Sequence, residues 1–323
     1  MKKLFAGIAG AALVMTAVAG CSTAATPSVS AGATEAASTA AGAKLRISIV
    51  GKGISDFGTL IKNGAMAAGE EFGADVTWNA PDTESEGDKQ LNMLQTAVND
   101  KVDGIGFAPQ DGAQDGAPAI LEQAKANGQP VAVYDTPLAS SDIPIITIAS
   151  DNEGIGAMAA ENTSKLIGGK GKVALIVNGV VGTAALRRDG FVNWMKQNAP
   201  DIEVVDIQNG EADPAKARDK AQGILQAHPD LNALIGTGEY PTIAIADQVA
   251  AMGSEAMVVG VDSNPDILKL IRDGKIDGVV TQNPYNMGYQ TVKALVEAKK
   301  GTMPASNKLV SPSAWVTKDN IDT

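Results

Sequence analysis

The chain of 323 residues has one cysteine, Cys21, and one histidine, His228. That scarcity excludes an intrachain disulfide, a Cys- or His-rich metal centre, and catalytic pairs that need several histidines. Aromatic residues are only 4% of the chain, so stacking surfaces are few and each one at a strand end counts. Basic residues are the minority, 26 against 37 acidic, for a formal charge of −11. An acidic chain offers no electrostatic footprint for nucleic acid or anionic lipid. No apolar run reaches the roughly 20 residues of a membrane span; the longest, Leu4–Val18, has 15.

That run follows Lys2-Lys3 and ends at Val18-Ala19-Gly20-Cys21. A basic start, a short apolar stretch and small residues at its end predict a secretory signal over residues 1–20. The last four residues resemble the bacterial lipobox, which implies cleavage before Cys21 and lipid on that cysteine. Removing residues 1–20 takes two lysines and no acid, deepening the charge from −11 to −13. Residues 22–43 carry one charge and no aromatic, so nothing there offsets the entropy of ordering, and a flexible tether is expected up to residue 44. The expected address is extracytoplasmic, lipid-anchored to the cell membrane.

From Leu45 short β-branched runs alternate with longer amphipathic stretches: LRISIV (45–50), DVTW (75–78), GIGF (104–107), PVAVY (130–134), IITIA (145–149), KVALIV (172–177), IEVVDI (202–207), NALIG (232–236), MVVGV (257–261) and DGVVT (277–281). Continuous apolar strands separated by helices indicate parallel sheets covered on both faces. Ten strands exceed one typical sheet and fit two of about five or six. Asn127-Gly128 and Asp273-Gly274 suit left-handed helix caps.

In open α/β sheets ligands bind beyond the carboxyl ends of the strands. The residues there include Ser55-Asp56-Phe57, Asp135-Thr136, Asp151-Asn152, Arg187, Glu239-Tyr240, Asp262 and Gln282. Carboxylates, amides and aromatics of this kind grip a polyhydroxylated small molecule. Each has a plainer role to set beside that one. Asp135 can be a turn carboxylate, Phe57 a core plug, and Asp151-Asn152 a shaper of a chain crossing. Trp78 and Trp315 suit packing, and His228 suits an exposed turn. Gly51-Lys52-Gly53 fails as a dinucleotide fingerprint because its third glycine position holds Asp56, and Gly168-Gly169-Lys170-Gly171 lacks P-loop spacing.

Lys62-Asn63-Gly64-Ala65, Val102-Asp103-Gly104-Ile105, Pro130-Val131, Ile148–Asn152, His228-Pro229-Asp230 and Val259–Asp262 together resemble the sugar-binding type I solute-binding proteins of ABC importers, over roughly residues 45–311. The resemblance implies an α/β fold of two Rossmann-like lobes with parallel sheets joined by a three-stranded hinge. One lobe would comprise 45–150 with 283–311, the other 151–282 with 312–323. It implies a monomer that traps a sugar or sugar alcohol by hinge closure and presents it to a permease and its ATPase, with no catalytic residue, cofactor or metal. Asp135, Asp262 and Gln282 match family residues that bind sugar hydroxyls. Ser55 stands where ribose binders use asparagine, and Phe57 where an aromatic stacks. Thr136 stands in place of an arginine, Glu239 of an asparagine and Ala212 of a phenylalanine. Arg187 matches a ligand arginine if aligned on Gly182-Thr183; aligned on Gly190-Phe191, the position is Ala185. The acidic balance favours a neutral sugar or polyol, or an amino sugar, over sugar phosphates and sugar acids. A nucleoside or furanosyl signalling molecule, a chemoreceptor partner, a hydrolase using the strand-tip carboxylates, and the effector core of a lactose-repressor-type regulator are the alternatives. Against the last two stand the absence of a nucleophile–base pair and a secretion signal where the DNA-binding headpiece would be.

Overall fold

A computed structural model describes residues 43–139 and 142–322. The signal, Cys21 and tether expectations lie outside the described residues. The chain runs β1 (Leu45–Val50), α1 (Asp56–Phe72), β2 (Ala74–Asn79), α2 (Gly87–Asn99), β3 (Gly104–Phe107), α3 (Ala117–Ala126), β4 (Val131–Tyr134) and β5 (Ile146–Ser150). It continues with α4 (Asn152–Leu166), β6 (Gly171–Val177), α5 (Gly182–Asn198), β7 (Ile202–Asn209), α6 (Pro214–Ala227), β8 (Ala233–Gly236), α7 (Glu239–Met252), β9 (Met257–Val261), α8 (Pro265–Arg272) and β10 (Gly278–Thr281). It ends with α9 (Pro284–Lys299), β11 (Lys308–Ser311) and β12 (Ala314–Val316).

These strands form two six-stranded sheets, ordered β11-β5-β4-β3-β1-β2 and β12-β10-β9-β8-β6-β7. Every pairing is parallel except β10 with β12. The chain passes from one sheet to the other between β5 and α4, between β10 and α9, and between β11 and β12. Two strands beyond the ten expected, β11 and β12, thus add one edge to each sheet. Each sheet buries both faces. In the first lobe Ile47, Ile49 and Ala132 meet α1 and α9 on one side, while Val50, Ile105 and Val133 meet α2 and α3 on the other. The second lobe does the same with Ile176, Leu234 and Val258 on one face and Leu175, Ile235 and Val261 on the other. Continuous apolar strands are the sequence consequence of this two-sided burial.

The crossing helices α9 and α4 lie very close to the first helix of the lobe they enter. A Cβ at Gly64 of α1 would sit 1.9 Å from the Tyr285 carbonyl, and one at Gly288 of α9 would sit 1.9 Å from the Ile61 carbonyl. In the other lobe a Cβ at Gly156 of α4 would meet the Arg187 carbonyl at 2.0 Å, and one at Gly190 of α5 the Glu153 carbonyl at 2.1 Å. Only glycine permits these approaches.

Trp78 and Trp315 pack against the cores. His228 is half-buried as the C-cap residue of α6, its N–H donating to the Ile224 carbonyl; burial under the helix end replaces the exposed turn expected.

Candidate functional site

Residues following seven strands converge on one cavity, lined by Lys52, Ser55, Phe57, Glu84, Asp135, Asn178, Thr183, Arg187, Gly238, Glu239, Tyr240, Asp262 and Gln282. The first lobe supplies the loops after β1, β2 and β4, and the second those after β6, β8 and β9. Gln282 comes from the β10–α9 crossing itself.

Asp135 and Asp262 occupy equivalent places. Each follows a strand whose last four residues are buried, β4 or β9, and each has left-handed backbone, φ +61° and +85°. Aspartate tolerates that conformation better than most residues, but it remains strained, and such strain collects at functional positions. Each N–H donates to the next strand over: Asp135 to the Ile148 carbonyl at 2.9 Å, Asp262 to that of Val280 at 3.1 Å. These bonds hold the two carboxylates at the cavity.

Their partners differ. Asp135 pairs with the Lys52 ammonium at 2.6 Å, with side chains only 9% and 13% exposed. Asp262 accepts from Gln282 Nε2 at 2.6 Å, and Gln282 Oε1 accepts from the Ser150 hydroxyl at 2.9 Å. The Glu239 backbone N–H also donates to Asp262. Burial pushes the Asp262 carboxyl above its ordinary range, opposed by the nearby Arg187 cation and the Gln282 hydrogen bond. Arg187 is itself buried and aimed: Nε donates to Asn152 Oδ1 at 2.8 Å and an Nη to the Thr237 carbonyl at 2.9 Å. Asn152 thus shapes the crossing and orients the arginine.

Glu84 and Glu239 add two more carboxylates. Burial is the main cause that raises Glu84, and Asp135 and Asp262 raise it further against the pull of Lys52 and Arg187. Burial, then Asp262 and Asp56, push Glu239 up to about 7. Glu239 accepts from the Asn264 side chain and from the Phe57 backbone N–H at the start of α1. The second contact ties one lobe to the other. Tyr240 is pushed up to about 12, by burial and then by Glu84, Glu239 and Asp56, so its hydroxyl stays a donor.

Of the expected site residues, Ser55, Phe57, Asp135, Arg187, Glu239, Tyr240, Asp262 and Gln282 line the cavity. Ser55 also caps α1, its hydroxyl accepting from the Gly58 N–H at 3.0 Å. Phe57 faces the cavity and packs on the core at once. Asp56 does not line the cavity: it is an exposed first-turn residue of α1, where a carboxylate suits the helix N-terminus. Thr136 is not in the lining either; it is 2% exposed, and its hydroxyl has no hydrogen-bond partner among the described residues. Ala212 is likewise absent from the lining, in a turn before α6. Lys52, Glu84, Asn178, Thr183 and Gly238 are the additions. Lys52 and Asn178 stand within two residues of a strand end, and the strand-tip rule applied without exception finds both. Glu84 lies in a loop well past β2 and has no comparable signal.

Among the described residues no group of three or more His, Cys, Asp or Glu could hold a metal ion, and no helix is long and apolar enough to cross a membrane.

Two parallel-sheet lobes, three crossings and a polar cavity at the strand tips define a class of two-lobed binding protein, and residues 47–303 match the family model of the periplasmic binding protein domain. The chain belongs to that family. It is 28% identical over 215 residues to a ribose import binding protein of Bacillus subtilis, covering 66% of this chain and 68% of that one. It is 27% identical over 273 residues to a D-allose-binding periplasmic protein of Escherichia coli, covering 81% and 87%. A solved structure of a glucose-galactose binding protein from Geobacillus stearothermophilus superposes with a TM-score of 0.80 at 27% identity, over 87% of this chain and 99% of that one. The two-lobed α/β fold expected from the sequence is thereby borne out. The family is one of binding proteins.

Proposed function

We propose that this chain is an extracytoplasmic binding protein that captures a sugar or sugar alcohol between its lobes and hands it to the permease of an ABC importer, driven by the partner ATPase. The observation that carries this is the convergence of both lobes' strand tips on one cavity of carboxylates, amides, a tyrosine hydroxyl and a phenylalanine ring. Planar acceptors meet hydroxyl donors, and the ring of Phe57 meets C–H faces. The named ligands of the relatives, ribose, allose, glucose and galactose, support the same ligand class.

Contacts made by both lobes exist only when the lobes meet, so ligand shifts the balance toward closure. A few charge-assisted hydrogen bonds at about 1.5–3 kcal/mol each, less ordering costs, give micromolar affinity, around −8 kcal/mol. The cleft holds the ligand without transforming it, and sugars incubated with the protein return unchanged. The protein works as a monomer, anchored through lipid on Cys21.

Thermal-shift screening of the full chain against sugars and polyols tests the reading. A ligand at a hundred times its dissociation constant adds about 2.7 kcal/mol. A panel that leaves the melting temperature unmoved overturns it. Loss of membrane association in Cys21→Ser tests the anchor.

A further inference from the structure

The cavity has more acceptors than its own donors can fill. Its walls hold four carboxylates, Glu84, Asp135, Glu239 and Asp262, and two cations, Lys52 and Arg187. Both cations are already engaged. Lys52 is held by Asp135 at 2.6 Å. Arg187 gives Nε to Asn152 and an Nη to the Thr237 carbonyl, and faces Asp262. Asp262 is further held by Gln282 and the Glu239 N–H, and Glu239 by Asn264 and the Phe57 N–H. Glu84 is left over: no described residue donates a hydrogen bond to its carboxylate. On the opposite wall Asn178 Oδ1 lies beneath the surface with no hydrogen-bond partner among the described residues.

An orphaned acceptor can be filled by a hydroxyl, but with all four acids ionised a hydroxyl leaves the cavity two negative charges in excess. In a partly dry site that excess is costly, and a cation offsets it. We infer that the ligand of this cleft is an amino sugar, and that Glu84 is the specificity-determining residue that receives its protonated amine. This rests on the sugar reading and adds the charged substituent to it. The upward displacement of Glu84 and Glu239 accords with a cavity short of positive charge. Asn178 then accepts from a hydroxyl of the same ring, and the excess acid excludes sugar acids and phosphates.

Calorimetry on the full chain near neutral pH decides the matter, with glucosamine, galactosamine and mannosamine each set against its neutral parent and its N-acetyl derivative. At least one amine is expected to bind roughly tenfold or more tighter than its parent, with the gain lost on N-acetylation. Glu84→Gln is expected to bring the amine-to-parent ratio close to one. The wild-type ratios require no variant to fold. A neutral parent that binds as tightly as its amine overturns the inference and leaves the sugar reading intact. An amine preference that survives in Glu84→Gln overturns the role given to Glu84. If none of these compounds binds, the inference fails, and the sugar reading is decided separately by the wider thermal-shift panel.

Discussion

The two lobes share one plan and satisfy their central acid in different ways. Both sheets run edge, then 5-4-3-1-2 in the first lobe and 10-9-8-6-7 in the second, and both place a left-handed aspartate after the same strand of that plan. In the first lobe the acid is neutralised locally, by Lys52 from the neighbouring loop. In the second it is held by an amide, Gln282, which sits on one crossing and is bonded to Ser150 on another. Asp135 is therefore fixed within its own lobe. Asp262 is bonded through Gln282 to the segments that cross between the lobes. One topology, used twice, holds its central acid in two different ways.

That contrast can be broken most forcefully at its cation. Lys52→Met leaves Asp135 nearly buried without its partner and is expected to cost about 4 kcal/mol of stability, largely recovered in the double variant with Asp135→Asn. Arg187→Met should cost less, because Asp262 keeps Gln282 and the Glu239 N–H. Urea unfolding of the three variants measures this, and equal losses for Lys52→Met and Arg187→Met would erase the distinction.

The shared plan is tested by the glycine crossings. Gly288→Ala and Gly156→Ala each force a methyl against a carbonyl and should each cost about 3 kcal/mol through overpacking. A drop in melting temperature for one lobe's variant alone would show that the crossings are not equivalent.

Affinity gives the next test. Asp135→Asn and Asp262→Asn should each weaken sugar binding by about 2 kcal/mol. Only Asp262→Asn is expected to change the compaction on ligand binding seen by small-angle scattering. The same change from Asp135→Asn would place the coupling elsewhere.

The smallest effect is a pH slope. The folded-state pKa of Glu239, about 7, lies above its ordinary value of 4.5, so between these the folded chain holds a proton that the unfolded chain has released. Stability then falls as pH rises through that window and levels off above it. The groups that face Glu239 are Asp262, Asp56, Asn264 and the Phe57 N–H. Melting temperatures of wild type and Glu239→Gln across the window check this: the variant should have the shallower slope.

Ten strands, the two-sheet division and eight of the cavity residues could be read before any coordinates, because fully buried strands leave unbroken apolar runs and their tips follow by rule. The strands β11 and β12 could not. They are short edge segments with alternating or partial exposure, and pairing with β5 and β10 rather than local propensity makes them strands. Asp56 and Thr136 fall outside the cavity lining because neighbours along a strand-to-helix turn face different ways: one is exposed to solvent, the other buried in the lobe.

The sequence by itself determined the class of fold and the acidic, polar character of the strand ends, since both follow from composition and period. Tertiary structure alone decided which acids keep a partner. The pairing of Lys52 with Asp135 and the bond from Gln282 to Asp262 join residues far apart in the chain. Charge balance at a site depends on such distances in space, and no local pattern encodes them.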